Sequence, residues 1–209
     1  MSQKLTLLTI LIFSLSVFSC ENKQVSNNNS EVPEVGKNVK PIADNEVAVI
    51  EMENQAAFGT ITIELYSNIA PKMVARFKEL AKEGFYNGVS FHRITPQVIQ
   101  TGNPNTKDND PANDSAGGSD KPDVEAEFSD LKFDTGIVGA ARGDQDFNSA
   151  NSQFFIMLKR EEGFDDRYTI FGKVINGMNN ARTIGGATRD GERPLDDIKI
   201  KQIKIEPKP

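Results

Sequence analysis

The residue whose chemistry stands out first is an arginine. Arg93 closes the run Phe85-Tyr-Asn-Gly-Val-Ser-Phe-His-Arg93, which turns at Asn87-Gly88 and enters a short β-prone stretch with no acid beside it in sequence. A guanidinium is always charged and presents its N–H bonds as a rigid fork, so it suits the work of a fixed donor. Alternation along a strand predicts that Phe91 and Arg93 share one face. Alone, that pair reads as a surface arginine lying over a ring. The segment Asn151-Ser-Gln-Phe-Phe-Ile156 adds to it, because alternation there puts Gln153, Phe155 and Met157 on one face and Phe154 with Ile156 on the other. One phenylalanine then fills a core while its neighbour lies outside. An outward Phe, Gln and Arg on adjoining strands would form a shallow apolar groove with a cationic edge. By itself the Phe-Phe pair reads as ordinary sandwich core.

Other chemistries find little support. The single histidine, His92, excludes His-rich metal sites and a hydrolytic triad with a partner set of its own, and it reads as structural. Asp108, Asp110 and Asp114 suggest calcium, but that spacing lacks the glycine at the sixth position and the glutamate at the twelfth. The charge balance is 24 basic against 30 acidic residues, a net charge of −6. With no basic stripe interleaved with aromatics, nucleic acid is not an expected partner. No cofactor is called for.

The elements that must position these residues can be read in order. Glu46–Met52 alternates loosely and 59–66 cleanly, with Ile61, Ile63 and Leu65 on one face, so the two predict a hairpin. Pro71 opens a helix whose stripe is Met73, Val74, Phe77, Leu80 and Ala81, and Gly84 stops it. Thr101 to Asp123 is a long Asn/Asp/Gly-rich stretch without periodicity, expected as a functional loop. Strands are predicted at 124–128, 136–140, 152–158 and 168–174, and a short helix at 176–184. The last strand, 197–206, carries Ile198 and Ile200 and then Ile203 and Ile205, a phase slip that a β-bulge at Lys201-Gln202 would produce. About eight short strands and two helices without βαβ units predict a mainly β fold, a closed eight-stranded antiparallel barrel capped by two α-helices.

The first 45 residues read differently. Lys4 precedes an apolar run from Leu5 to Phe18, and Ser19-Cys20 follows, which has the anatomy of a secretory signal. Cys20 is the lone cysteine, cannot pair within the chain, and stands where a bacterial lipoprotein is acylated. Val17 and Phe18 depart from the usual lipobox, so a simple cleaved signal or an uncleaved anchor also fits. The expected organisation is a lipoprotein-type signal over 1–20, a flexible tether over 21–45 and one domain over 46–209. Its address would be the cell envelope, as an outer-membrane lipoprotein facing the periplasm and tethered by its N-terminal lipid.

Five segments together resemble the cyclophilin family of peptidyl-prolyl isomerases. They are Phe85–Arg93, Gln100-Thr-Gly-Asn-Pro104, Gly136-Ile-Val-Gly-Ala-Ala-Arg142, Asn148–Ile156 and Asp165-Asp-Arg-Tyr-Thr-Ile-Phe-Gly-Lys-Val174. The resemblance implies a barrel with an outer groove for Xaa-Pro peptides; together with the signal-type N-terminus, the expectation is a monomer acting on unfolded envelope proteins. The resemblance also implies that Arg93, Gln100 and Phe155 carry catalysis and that Val98, Ala141, Arg142, Gln153, Phe164 and Tyr168 bind substrate. Tyr168 matches an edge position that is often His. Two departures stand out. The family has one more residue between Arg93 and Gln100, including a Phe after Pro-Gly, and a Trp where Gly163 stands. The missing Phe implies proline-ring packing weaker by ~1–2 kcal/mol. An alternative of another class therefore stays open, a peptide-binding or chaperone module with little turnover.

Overall fold

The computed structural model describes residues 33–108, 110–114 and 116–209. The signal-type segment, Cys20 and the tether as far as residue 32 lie outside the described residues. In chain order the elements are β1 (Glu46–Met52), α1 (Gln55–Phe58), β2 (Thr60–Leu65), α2 (Pro71–Lys82), β3 (Arg93–Ile94), β4 (Val98–Thr101), β5 (Ile137–Ala140), β6 (Phe154–Met157), β7 (Ile170–Asn176), α3 (Met178–Gly185), β8 (Arg189–Asp190), β9 (Arg193–Pro194) and β10 (Ile200–Pro207). Among the described residues no helix is long and apolar enough to cross a membrane.

Eight strands form one antiparallel sheet in the order β10-β1-β2-β7-β5-β6-β4-β3. Its two edges, β3 and β10, are not joined by a continuous ladder. The seam is held by the single bridge between Ser90 and Lys199, with Gly88 N donating to Ile200 O and Ile200 N to Val89 O, both at 2.8 Å. The expected closed barrel is therefore closed only in part: the chain approaching β3 pairs with β10, but too briefly to make a strand.

Period-two alternation decides the inside. Ile61, Ile63 and Leu65 of β2 are fully buried while Thr60, Thr62 and Glu64 are half-buried. The α2 stripe caps the barrel, and all five of its expected apolar residues are buried. Phe77 of α2 meets Phe154 and Phe171 at centroid distances of 5.3 Å, an edge-on and a tilted packing that suit the ring quadrupole. The expected bulge is real. Glu51 pairs with Gln202 and Met52 with Ile200, so Lys201 is the extra residue.

Four further expectations change. Phe91 and Arg93 do not share a face: Phe91 enters the barrel core together with Ile94, and the chain is irregular at His92, so Arg93 alone turns outward. Residues 124–128 form no strand, because only Val124 finds a bridge, to Ala150. The connection after β1 contains one helical turn, α1, capped by Asn54 Oδ1 accepting from Ala57 N at 3.1 Å. Residues given to the tether by composition also lie on the domain. Gly36 bridges to Ser129, Ala43 packs on an apolar cluster, and Asp44 accepts from Ser67 and Lys78.

Candidate active site

β4 lies between β3 and β6, and its register lines up three side chains. Arg93 stands opposite Gln100, and Gln100 stands opposite Phe155. Directly opposed residues project from the same face of the sheet, so the three form a row across three strands on the outer wall. Val98, opposite Met157, continues that face. From Arg93 a chain of hydrogen bonds runs through Gln100 to Gln153. Arg93 Nη1 donates to Gln100 Oε1 at 3.3 Å, Gln100 Nε2 to Gln153 Oε1 at 2.9 Å, and Gln153 Nε2 to Gly117 O at 2.8 Å.

A cleft of about 390 Å³ opens above the row. Arg93, Val98, Gln100, Ala141, Arg142, Phe164 and Tyr168 border it, and the nearly buried Phe155 forms its floor. Gln153 lines instead a second cleft of about 280 Å³, which shares Gln100, Ala141 and Arg142 with the first. Every site residue expected within the domain thus borders one of two adjoining clefts.

The outward phenylalanine is less exposed than a groove-liner on a bare sheet would be. Phe155 is 3% exposed, because a second apolar cluster covers this face of the sheet. Phe133 stacks on it at 5.9 Å and 29°, while Phe164 and Tyr168 stand edge-on at 5.5 and 5.6 Å. Gly139 makes room for that ring: a Cβ there would lie 2.4 Å from Phe155 Cζ and 2.9 Å from Phe133 Cε1.

Arg142 is held between the rings of Phe147 and Tyr168, at 4.6 and 4.7 Å. Its Nε donates to Arg167 O at 3.2 Å and its Nη1 to Gly143 O at 2.8 Å. His92 lines neither cleft. Burial pushes its imidazole down to about 4, so it is uncharged at neutral pH.

Sequence reasoning missed three contributors. Glu192 grips Arg93, with Nε to Oε2 at 2.6 Å, yet stands 99 residues further along. Phe133 makes the underlayer of the floor; the alternating pair Leu131 and Phe133 was the available signal, since both enter this cluster. Asp144 borders the cleft beside Arg142 and carried no local signal. The β3–β4 turn is tight, Thr95 N donating to Val98 O at 2.9 Å across Pro96 and Gln97, so no aromatic stands in it. Asp108 and Asp110 are engaged within their own loop, accepting from Asp110 N and Ala112 N, and among the described residues no group of three acids, His or Cys converges on a metal site.

This arrangement has relatives. The profile of the family described as cyclophilin type peptidyl-prolyl cis-trans isomerase matches residues 49–205. A probable peptidyl-prolyl cis-trans isomerase of Brucella suis is 47% identical over 126 residues, which cover 58% of this chain and 64% of that protein, so the match spans less than two thirds of that relative. The peptidyl-prolyl cis-trans isomerase-like 1 of Emericella nidulans is 39% identical over 71% of this chain and 90% of its own. Among solved structures, a cyclophilin type isomerase of Cryptosporidium parvum, crystallised in the presence of the dipeptide Ala-Pro, superposes with a TM-score of 0.67 at 28% identity, covering 76% of this chain and 98% of that one. From its barrel, its outer cleft and these matches, the chain belongs to the cyclophilin-type peptidyl-prolyl cis-trans isomerase family.

Proposed function

We propose that this domain catalyses rotation about Xaa-Pro peptide bonds, binding the proline over Phe155 and turning the imide against Arg93. The observation that carries the reading is the row of Arg93, Gln100 and Phe155, a fixed cation beside an apolar floor in one cleft. Rotation about a peptide bond meets a barrier of ~18–20 kcal/mol because nitrogen shares its lone pair with the carbonyl. Bonds to proline are the ones with a substantial cis population, and unaided they exchange in tens to hundreds of seconds. No bond breaks, so the site needs neither nucleophile nor metal; it must bind the twisted amide more tightly than either planar form. A donor aimed at the imide nitrogen does so, because that lone pair is free only when conjugation is lost. Val98, Phe164 and Tyr168 wall the ring, Gln100 steadies Arg93, and Ala141, Arg142 and Gln153 meet the rest of the peptide. The Cryptosporidium relative, crystallised with a proline dipeptide, supports a substrate of this class.

The test is a protease-coupled assay on an Xaa-Pro peptide. Arg93→Ala should lower kcat/KM by about a hundredfold, the scale for losing one preorganised donor. Equal rates for the two proteins would remove Arg93 from the mechanism. The absence of an aromatic in the tight β3–β4 turn favours a second reading, a peptide-binding module of little turnover. Peptide binding without accelerated cis–trans exchange would decide for it.

The proposal extends to place. Lys4, the apolar run from Leu5 to Phe18 and the lone Cys20 support export and acylation, and so a lipid-tethered isomerase assisting the folding of envelope proteins. Labelled palmitate incorporated by the full chain, and lost in Cys20→Ser, is the expected result. Equal labelling of both would remove the anchor from Cys20.

A further inference from the structure

Glu192 reaches Arg93 through a built contact. The β8–β9 hairpin turns at Gly191 (φ 57°) and docks on the edge strand β3, where Ile94 N donates to Glu192 O at 2.6 Å. The side chain of the same residue then takes Arg93 by one edge, Oε2 accepting from Nε at 2.6 Å and Oε1 from Nη2 at 3.4 Å. One residue is thus fixed by main chain and by side chain to two consecutive positions of β3. A guanidinium has five N–H bonds. The two to Glu192 and the one from Nη1 to Gln100 leave one hydrogen on Nη1 and one on Nη2 uncommitted, on a side chain that borders the cleft.

We propose that Glu192 is a positioning residue for Arg93, holding the guanidinium by its Nε edge so that the uncommitted hydrogens stay aimed at the prolyl imide. The inference rests on the isomerase reading and deepens it. A role in stability is a poor explanation, since the side chains of Arg93 and Glu192 are 41% and 57% exposed and ion pairs of that kind add little. A role in orientation fits the chemistry. Arginine is long and rotamer-rich, and a donor needed chiefly by the twisted amide must be in place before the bond turns.

Two measurements test it. The first is independent of turnover: the 15N-labelled Nε–H of Arg93 should exchange slowly with water in the native chain and rapidly in Glu192→Ala. The second is kinetic. Glu192→Ala should lower kcat/KM about tenfold, chiefly through kcat, with an unchanged melting temperature. Glu192→Gln should recover part of the loss, because an amide oxygen still accepts from Nε. In an Arg93→Ala background, followed by its residual rate, Glu192→Ala should change nothing further. An unaltered kcat/KM in Glu192→Ala, an equal loss in the Arg93→Ala background, or a rapidly exchanging Nε–H in the native chain would each overturn the proposal. A native domain without isomerase activity would instead overturn the functional reading. The Nε–H exchange and the affinity for an Xaa-Pro peptide would then settle whether Glu192 sets the geometry of Arg93.

Discussion

His92 immediately precedes Arg93 but lines neither cleft. Its imidazole, pushed down to about 4 by burial, stays neutral in the folded chain while an unfolded histidine titrates near 6.5. Between those values the unfolded chain binds a proton that the folded chain refuses, so stability is intact above pH 6.5 and falls as pH drops toward 4. The loss amounts to roughly 3 kcal/mol. Urea unfolding at pH 7.5 and 4.5 should show a steeper acid loss for the native chain than for His92→Gln, and parallel losses would remove His92 as the cause. Because the imidazole does not change charge near neutrality, kcat/KM should also stay level from about pH 5.5 to 8. At this scale the sequence was readable where side chains follow strand alternation. Phe154 and Phe155 separate onto opposite faces, as period two requires. Glu192 was unreadable, because its pairing with Arg93 depends on a hairpin that closes on β3 from 99 residues away.

Among elements, β5 controls the floor of the cleft without contributing a side chain at the key position. Gly139 stands opposite Phe155 in the ladder, and the ring lies over it. In Gly139→Ala the new methyl would have to share space with Phe155 Cζ and Phe133 Cε1. Overpacking of this kind costs ~1–3 kcal/mol, and the part that can move is the phenylalanine ring, toward Phe164 and Tyr168. The variant should therefore melt lower and bind an Xaa-Pro peptide several-fold more weakly, measured by thermal unfolding and by NMR titration. Retained affinity would show that the floor tolerates the shift. Strands with an alternating face, and the bulge at Lys201, could be read from spacing alone, because burial on one side enforces the phase. Residues 124–128 could not. Val124 and Phe128 are buried as expected of a strand, yet Ala126 N and Glu127 N donate to Asn148 Oδ1 and Thr169 Oγ1, so side chains take the place of a ladder. Nothing in local periodicity distinguishes that outcome from a sheet.

For the whole molecule the informative boundary is where the domain starts. Composition drew it at residue 46, because the preceding stretch has no periodic apolar face, but single polar residues hold that stretch to the body. Asp44 accepts from Ser67 Oγ at 2.7 Å and from Lys78 Nζ at 2.6 Å, and Lys78 also donates to Glu46 at 2.9 Å. Burial pushes the Asp44 carboxyl up, yet the hydrogen bonds from Lys78 and Ser67 outweigh it and hold it below the usual carboxylate range. A chain beginning at Glu46 leaves the half-buried Lys78 with one acid instead of two and uncovers the cluster against which Ala43 packs. It should be less stable than a chain beginning at Pro33 by ~1–3 kcal/mol, seen as a lower urea midpoint. A carboxylate held low in the folded state contributes above its unfolded pKa and loses that contribution as pH falls through the folded one. The gap between the two chains should therefore be full at pH 7 and narrow below about pH 4. Two chains that unfold together at pH 7 would mean that the contacts from Gly36 to Asp44 follow the fold without supporting it.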